Sequence, residues 1–146
     1  MKSIIPIASD HGGYAMKQFL IEQLTQAGYE VVDFGTHSDQ SVDYPDMIHP
    51  LARAIEIGQY PIGIILCGSG NGAQMTANKH HGVRAALCWN TDLAKLARQH
   101  NNANILSIPG RFVSNELAWD MVNAFLNTDF EGGRHQQRID KIEHLG

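Results

Sequence analysis

Cys67-Gly68-Ser69-Gly70-Asn71-Gly72 is the stretch of the chain best equipped for chemistry. Glycine accepts a positive φ and lets a ligand come close to backbone amides. The apolar run Ile62 to Leu66 ahead of it suits a strand buried on both faces. From Ala73 to Lys79 the chain turns helix-compatible, so the glycines fall between a strand end and a helix N-terminus. Unpaired N–H groups and the positive end of the helix dipole make that junction favourable for an anion. A thiol there is favoured as the thiolate. The stretch reads as an anion cradle with a nucleophile or base, Cys67, at its lip. The plainer alternative is a tight turn beside a small buried cysteine. Glycines at three alternate positions favour the site.

A second polar, glycine-rich strand exit, Ser9-Asp10-His11-Gly12-Gly13, follows the short apolar run Ile4 to Ala8. In open parallel sheets, ligands bind beyond the carboxyl ends of strands where the strand order switches. If these two exits are neighbours, Asp10 and His11 face Cys67 and Ser69 across one crevice. Arg134 and Arg138 stand four apart, so on a helix they share a face and could fork onto one phosphate. A solvated basic face is the plainer reading of that pair. His100 at a helix end could likewise simply cap carbonyls. His80-His81 falls in a turn before Gly82 with no carboxylate at ligand spacing, so no metal site is expected there. His37, His49 and His144 read as surface residues, and Cys88 as core.

The elements that must position these groups alternate along the chain. Met16, Phe19, Leu20 and Leu24 recur at helical spacing up to Gly28, and Val31 to Phe34 reads as the second strand. After a polar loop from Thr36 to Tyr44, Pro45 opens a helix carried by Met47, Ile48, Leu51, Ala54 and Ile55. Beyond the glycine loop come a strand over Ala85 to Cys88 and a helix capped by Thr91. A fifth strand, Ile105 to Ile108, ends at Pro109-Gly110, and Ser114 starts a further amphipathic helix. The tail from Gly132 is polar and could hold a terminal helix. Strands alternating with helices predict an α/β fold, a Rossmann-like three-layer α/β/α sandwich around a five-stranded parallel sheet. Neither a linker nor an internal repeat interrupts residues 1–146, which read as a single domain.

With 43% apolar and 18% charged residues the chain is expected to fold as a globule. A net charge of -4 argues against nucleic acid or an anionic membrane as partner. Cys67 and Cys88 form no C-x-x-C pair, which removes the usual zinc and redox motifs. The apolar run at the N-terminus is too short for a signal peptide, and none reaches the ~20 residues of a membrane span. A soluble cytoplasmic protein is the expectation.

Taken in order, Ser-Asp-His-Gly-Gly at residue 9, Asp-Tyr-Pro-Asp at 43, Cys-Gly-Ser-Gly-Asn-Gly at 67, Arg-Gln-His-Asn at 98, Gly-Arg at 110 and Glu-Gly-Gly-Arg-His-Gln-Gln-Arg at 131 resemble one family nearly end to end. This is the family of ribose-5-phosphate isomerase B and the galactose-6-phosphate and allose-6-phosphate isomerases. The resemblance implies interconversion of an aldose phosphate and a ketose phosphate through an enediolate, without metal or organic cofactor. It makes Cys67 the base. A glutamate that replaces the cysteine in some relatives corresponds to Ala73, so that substitute is absent. Ser69 stands where many relatives carry threonine, and amides from Gly68 through Gly70, Asn71 and Gly72 would stabilise the enediolate oxygen. The resemblance assigns ring opening to His100, for which a histidine's usual titration near neutrality is suited. It assigns sugar hydroxyls to Asn101, Asp10 and Tyr44, and the phosphate to His11, Arg111, Arg134 and Arg138. It further implies homodimers that can pair into tetramers, with sites built at the subunit interface.

The sugar itself is left open, because five- and six-carbon phosphates would share the base and the phosphate set. From another class, a dinucleotide-binding module is a rival. Gly68-x-Gly70-x-x-Ala73 fits that fingerprint formally, with Asp92 further along. The loop follows the third strand rather than the first, which weakens the match. A non-enzymatic sugar-phosphate sensor would need the cradle but neither Cys67 nor His100.

Overall fold

The computed structural model describes residues 3–144. Strands β1 (Ile4–Ser9), β2 (Glu30–Asp33), β3 (Gly63–Cys67), β4 (Ala85–Leu87) and β5 (Ile105–Pro109) form one parallel sheet in the order β2-β1-β3-β5-β4. Helices α1 (Tyr14–Gln26), α2 (Tyr44–Glu56), α3 (Asn71–Ala77), α4 (Thr91–Asn101), α5 (Asn115–Asn127) and α6 (Arg134–Asp140) complete the described residues. Parallel strands can be joined only by crossovers, and a helix fills each one here. This is the α/β/α sandwich expected from the sequence.

The side-chain alternation of β3 divides the core. Ile64 and Leu66 pack with Leu20, Leu24, Met121 and Phe125 on the face covered by α1, α4 and α5. Ile65 and Cys67 pack with Ile48, Leu51, Ala73 and Ala77 on the face covered by α2 and α3. Both β3 and β5 are buried along their whole length, which accounts for their continuous apolar runs. The chain leaves β1 outward to β2, then crosses back over β1 to β3. The strand order therefore switches between β1 and β3, where a crevice opens beyond their carboxyl ends.

Several boundaries differ from the sequence expectation. Helix α3 starts at Asn71 rather than Ala73, so part of the glycine run is already helical. Asn90, not Thr91, caps α4, because its Oδ1 accepts from Leu93 N–H at 2.9 Å. Pro6 lies in an interior strand, but pairing with β3 begins only at Ile7 opposite Ile64, so its missing donor leaves no gap in that ladder. Pro50 sits inside α2 on an exposed position.

One buried charge ties the second strand to the first helix. Lys17 is fully buried, and its ammonium donates to both Asp33 carboxylate oxygens at 2.8 Å and to Gln18 Oε1 at 3.2 Å. Asp33 Oδ1 also accepts from Gly35 N–H at 2.8 Å, which holds the start of the loop after β2. Removing one partner of a buried pair strands the other, which typically costs about 3 kcal/mol or more. Asp33→Asn should therefore lower the unfolding free energy by about 3 kcal/mol in urea titration, and Lys17→Met by clearly less. Equal, small losses would show that the pair is dispensable to the fold.

Candidate active site

Two strand exits meet where the first presents bare glycine backbone. Asp10 Oδ1 accepts from Gly12 N–H at 2.9 Å and Gly13 N–H at 3.2 Å, closing a short 3-10 turn that leads into α1. A Cβ on Gly13 would lie 2.6 Å from Leu66 Cβ, and one on Gly12 would lie 3.0 Å from Gly68 N. Only glycine lets the β1 exit rest on the β3 exit this closely. Asp10 keeps its second carboxylate oxygen for another partner.

Cys67 ends β3 with its residue 5% exposed. The loop behind it is fastened from β5: Gly110 N–H donates to Cys67 O at 2.9 Å and Arg111 N–H to Gly68 O at 3.0 Å. Arg111 also leans over the loop, since a Cβ on Gly68 would come within 3.3 Å of its Nη1. Gly70 has φ +78, and a Cβ there would meet Leu87 Cδ1 at 2.5 Å, so no other residue fits. Its carbonyl accepts from the buried Ser107 hydroxyl at 2.8 Å. Ser69 Oγ accepts from Asn71 N–H at 3.3 Å and Asn71 Nδ2 at 3.2 Å, which leaves its own O–H to donate. The first amides of α3 have no intrahelical acceptor and face the same space.

Tyr44 and His11 complete this rim. The Tyr44 ring covers Gly72, where a Cβ would stand 2.6 Å from the ring. Val42 N–H donates to His11 Nδ1 at 3.2 Å. A neutral His11 therefore carries its proton on Nε2 and presents a donor. Asp10, His11, Tyr44, Cys67, Gly68, Ser69, Gly70, Asn71, Gly72 and Arg111 thus gather at one crevice.

The remaining candidates do not join them within the chain. Helix α4 runs back from the carboxyl edge, so His100 and Asn101 end at the opposite edge. Arg84, just before β4, donates from Nε to Asn101 O at 3.0 Å and from Nη2 to Asn102 O at 2.8 Å. Arg98 donates from Nη1 to Ala103 O at 2.6 Å and Asn102 Oδ1 at 2.9 Å, and from Nε to Thr128 O at 3.3 Å. Burial pushes both guanidinium groups below their usual range. The Arg98, Gln99 and Asn101 carbonyls at the end of α4 take donors from Asn102 N–H, Glu131 N–H and Arg84, none of them His100. Its half-exposed ring stacks on His135, with centroids 4.3 Å apart and planes 14° apart. Glu131 Oε1 lies 3.4 Å from His135 Nε2 and 3.9 Å from His100 Nε2. Arg134 and Arg138 lie on α6, which packs against α4. Both are exposed, and the tail carrying them belongs to the His100 edge.

His100, Glu131 and His135 are also the one trio, among the described residues, whose ligand-type atoms lie within 4.8 Å of one another. Stacked rings hold their in-plane lone pairs nearly parallel, so one ring would have to turn before both addressed a single ion. No role is read for His135 or Glu131 from the residues alone, although their i, i+4 spacing is visible there. It also missed the partners of other histidines. His80 Nδ1 lies 2.9 Å from Glu56 Oε1, and its Nε2 lies 2.7 Å from His49 Nδ1. That hydrogen bond holds the Glu56 carboxyl below its usual range. His81 Nδ1 lies 2.9 Å from Glu143 Oε2. A cavity of about 720 Å3 runs along the outer edge of β4 with Arg84, Asn101 and Glu143 in its wall, away from Cys67.

The model of the Ribose/Galactose Isomerase family matches residues 5–142. The chain belongs to the ribose/galactose isomerase family. Ribose-5-phosphate isomerase B of Escherichia coli is 41% identical over 138 residues, covering 94% of this chain and 93% of that one. The crystal structure of a ribose 5-phosphate isomerase from Thermotoga maritima superposes with a TM-score of 0.97 at 47% identity, covering 99% and 100% of the two chains. Ribose-5-phosphate isomerase B from Mycoplasma genitalium, solved with bound ribulose-5-phosphate, has a TM-score of 0.93 at 44% identity, covering 98% and 95%. The dinucleotide fingerprint loses its basis within this family fold, since the glycine loop follows β3 and Asp92 lies in the first turn of α4.

The two thiols of this isomerase-family chain should differ in reactivity. Cys88 is 1% exposed, and burial pushes its pKa up to about 11. At pH 8 iodoacetamide should label Cys67 well before Cys88, as read by peptide mass mapping of the native protein. Labelling of Cys88 first would contradict this placement of the thiols.

Proposed function

We propose that the chain interconverts D-ribose 5-phosphate and D-ribulose 5-phosphate, a reaction of the pentose phosphate pathway. Cys67, at the end of β3 beside the glycine loop that Arg111 overhangs, is the observation that carries the reading. As thiolate it takes the C2 proton of the open-chain aldose and, after partial exchange with solvent, delivers a proton to C1, while the O2 hydroxyl proton passes to O1, so the enediolate forms and collapses without a net change of atoms. The Ser69 hydroxyl and the amides at the start of α3 donate to the oxygen that becomes negative. Asp10 and Tyr44 hold sugar hydroxyls, and His11 and Arg111 bind phosphate from the same rim.

His100 gives its proton to the ring oxygen during opening, Asn101 steadies the hydroxyls, and Arg134 and Arg138 complete the phosphate grip. These four stand at the far edge of their own chain, so they act on the Cys67 of a second copy. The working unit is accordingly a homodimer with two composite sites. Residues 1–146 act as one domain, with the tail beyond 132 serving the phosphate. The chemistry uses only side chains and amides of the protein, with no metal and no organic cofactor, and the cytoplasm, where such phosphates are metabolised, is the proposed compartment.

A six-carbon substrate is the second reading, favoured by the galactose in the name of the matching family. Side-by-side assays with ribose 5-phosphate, allose 6-phosphate and galactose 6-phosphate should give the highest kcat/KM for ribose 5-phosphate. Cys67→Ala should then lower kcat by about 10²–10⁴-fold with a smaller change in KM. No turnover of any aldose phosphate would return the fold to a binding role. Unchanged kcat in Cys67→Ala would remove the thiol as base.

A further inference from the structure

Resting on the ring-opening role of His100 above, we infer that His135 is a positioning residue: its buried imidazole is the plane against which the His100 ring is held. The residue is 7% exposed, whereas the His100 side chain is 41% exposed. A half-exposed side chain at a helix end would ordinarily sample several rotamers. Here one face of the His100 ring lies on His135 with centroids 4.3 Å apart and planes 14° apart. Its backbone is independently fixed, because Arg84 holds the Asn101 and Asn102 carbonyls at the end of α4 and Arg98 the Ala103 carbonyl just beyond it. What remains to be set is the ring torsion, and His135 sets it.

His135 is itself locked. Its N–H donates to Gly132 O at 3.2 Å in the turn that opens α6, and its Nε2 lies 3.4 Å from Glu131 Oε1. Glu131 is fastened in turn, its N–H donating to Gln99 O at 3.0 Å, so the carboxylate is anchored to the helix that carries His100. Gln99, His100, Glu131 and His135 form a closed loop of contacts between the end of α4 and the start of α6. With one ring face covered and the other open, His100 presents its edge in a fixed direction. That direction matters in one step only. In ring opening the C1–O4 bond breaks, O4 takes a proton from His100, and the O1 hydroxyl releases its own proton to solvent. Proton transfer between C1 and C2 belongs to Cys67 and does not use the stack.

The test separates these two steps in the assembled protein. His135→Leu fills the same space without a plane, and His135→Phe restores the plane without the imidazole nitrogens. Conversion of ribose 5-phosphate, which must open its ring, is measured as kcat. Exchange of the C1 proton of ribulose 5-phosphate with D2O, followed by NMR, reports the Cys67 step on a sugar that has no ring to open. In His135→Leu, conversion should fall about tenfold or more while exchange stays within about twofold of the parent. His135→Phe should recover most of the lost conversion. Conversion equal to the parent in His135→Leu would overturn the inference. So would a parallel loss of exchange in both variants, since that is the mark of a general structural role. Absence of both ribose 5-phosphate conversion and C1 exchange in the parent protein would instead sink the isomerase reading itself.

Discussion

The structure depends on a contact to which the β1 exit brings only glycine backbone. Gly12 and Gly13, at the exit of β1, lie directly on Leu66 and Gly68 at the exit of β3. Any Cβ at Gly13 would force the two exits apart. Because they touch, the Asp10 carboxylate, the His11 ring and the Cys67 thiol share one rim. The neighbouring strand adds a second seam, with Gly110 and Arg111 amides on the Cys67 and Gly68 carbonyls. The loop that bears the thiol is thus bounded by backbone on two sides, which is the kind of rigid support a proton-transfer site needs.

The opposite edge is organised by charge rather than by close backbone approach. Arg84 and Arg98 spend most of their donors on carbonyls at the end of α4. Their burial would be unfavourable without those acceptors. The carbonyls of Arg98, Gln99 and Asn101 thus have donors other than the His100 imidazole. Polarity of the crossover then decides the rest. A helix that follows a parallel strand must return to the strand's starting edge, and no local adjustment brings His100 to its own chain's Cys67. The proposed roles of these two edges are met together by the proposed two-fold partner.

Much of this was legible in the residues. The strands announce themselves through β-branched runs, and Gly68 to Gly72 and Asp10 to Gly13 mark the exits that carry chemistry. Helix starts were less legible. Asn90 and Thr91 are both competent caps, and only the backbone turn decides that Asn90 receives the Leu93 amide. Lys17 lies beside the apolar positions of α1, and periodicity alone gives no sign that it is fully buried against Asp33. The carboxylates that meet His80 and His81 come from α2 and from the tail, distant in sequence. The stack of His100 on His135 depends on α6 folding back onto α4, a tertiary event that no local pattern encodes.

The central claim is that one chain supplies the base and another the ring-opening acid. It is met most directly by mixing two inactive proteins. Cys67→Ala and His100→Ala variants, each weak alone, are unfolded together in equal amounts and refolded, and mixed dimers are verified by native mass spectrometry. Half the dimers are then mixed, and each has one intact site, so about a quarter of parental activity should return. Activity no higher than the average of the two separate variants, with mixed dimers present, would show that each site is built within a single chain.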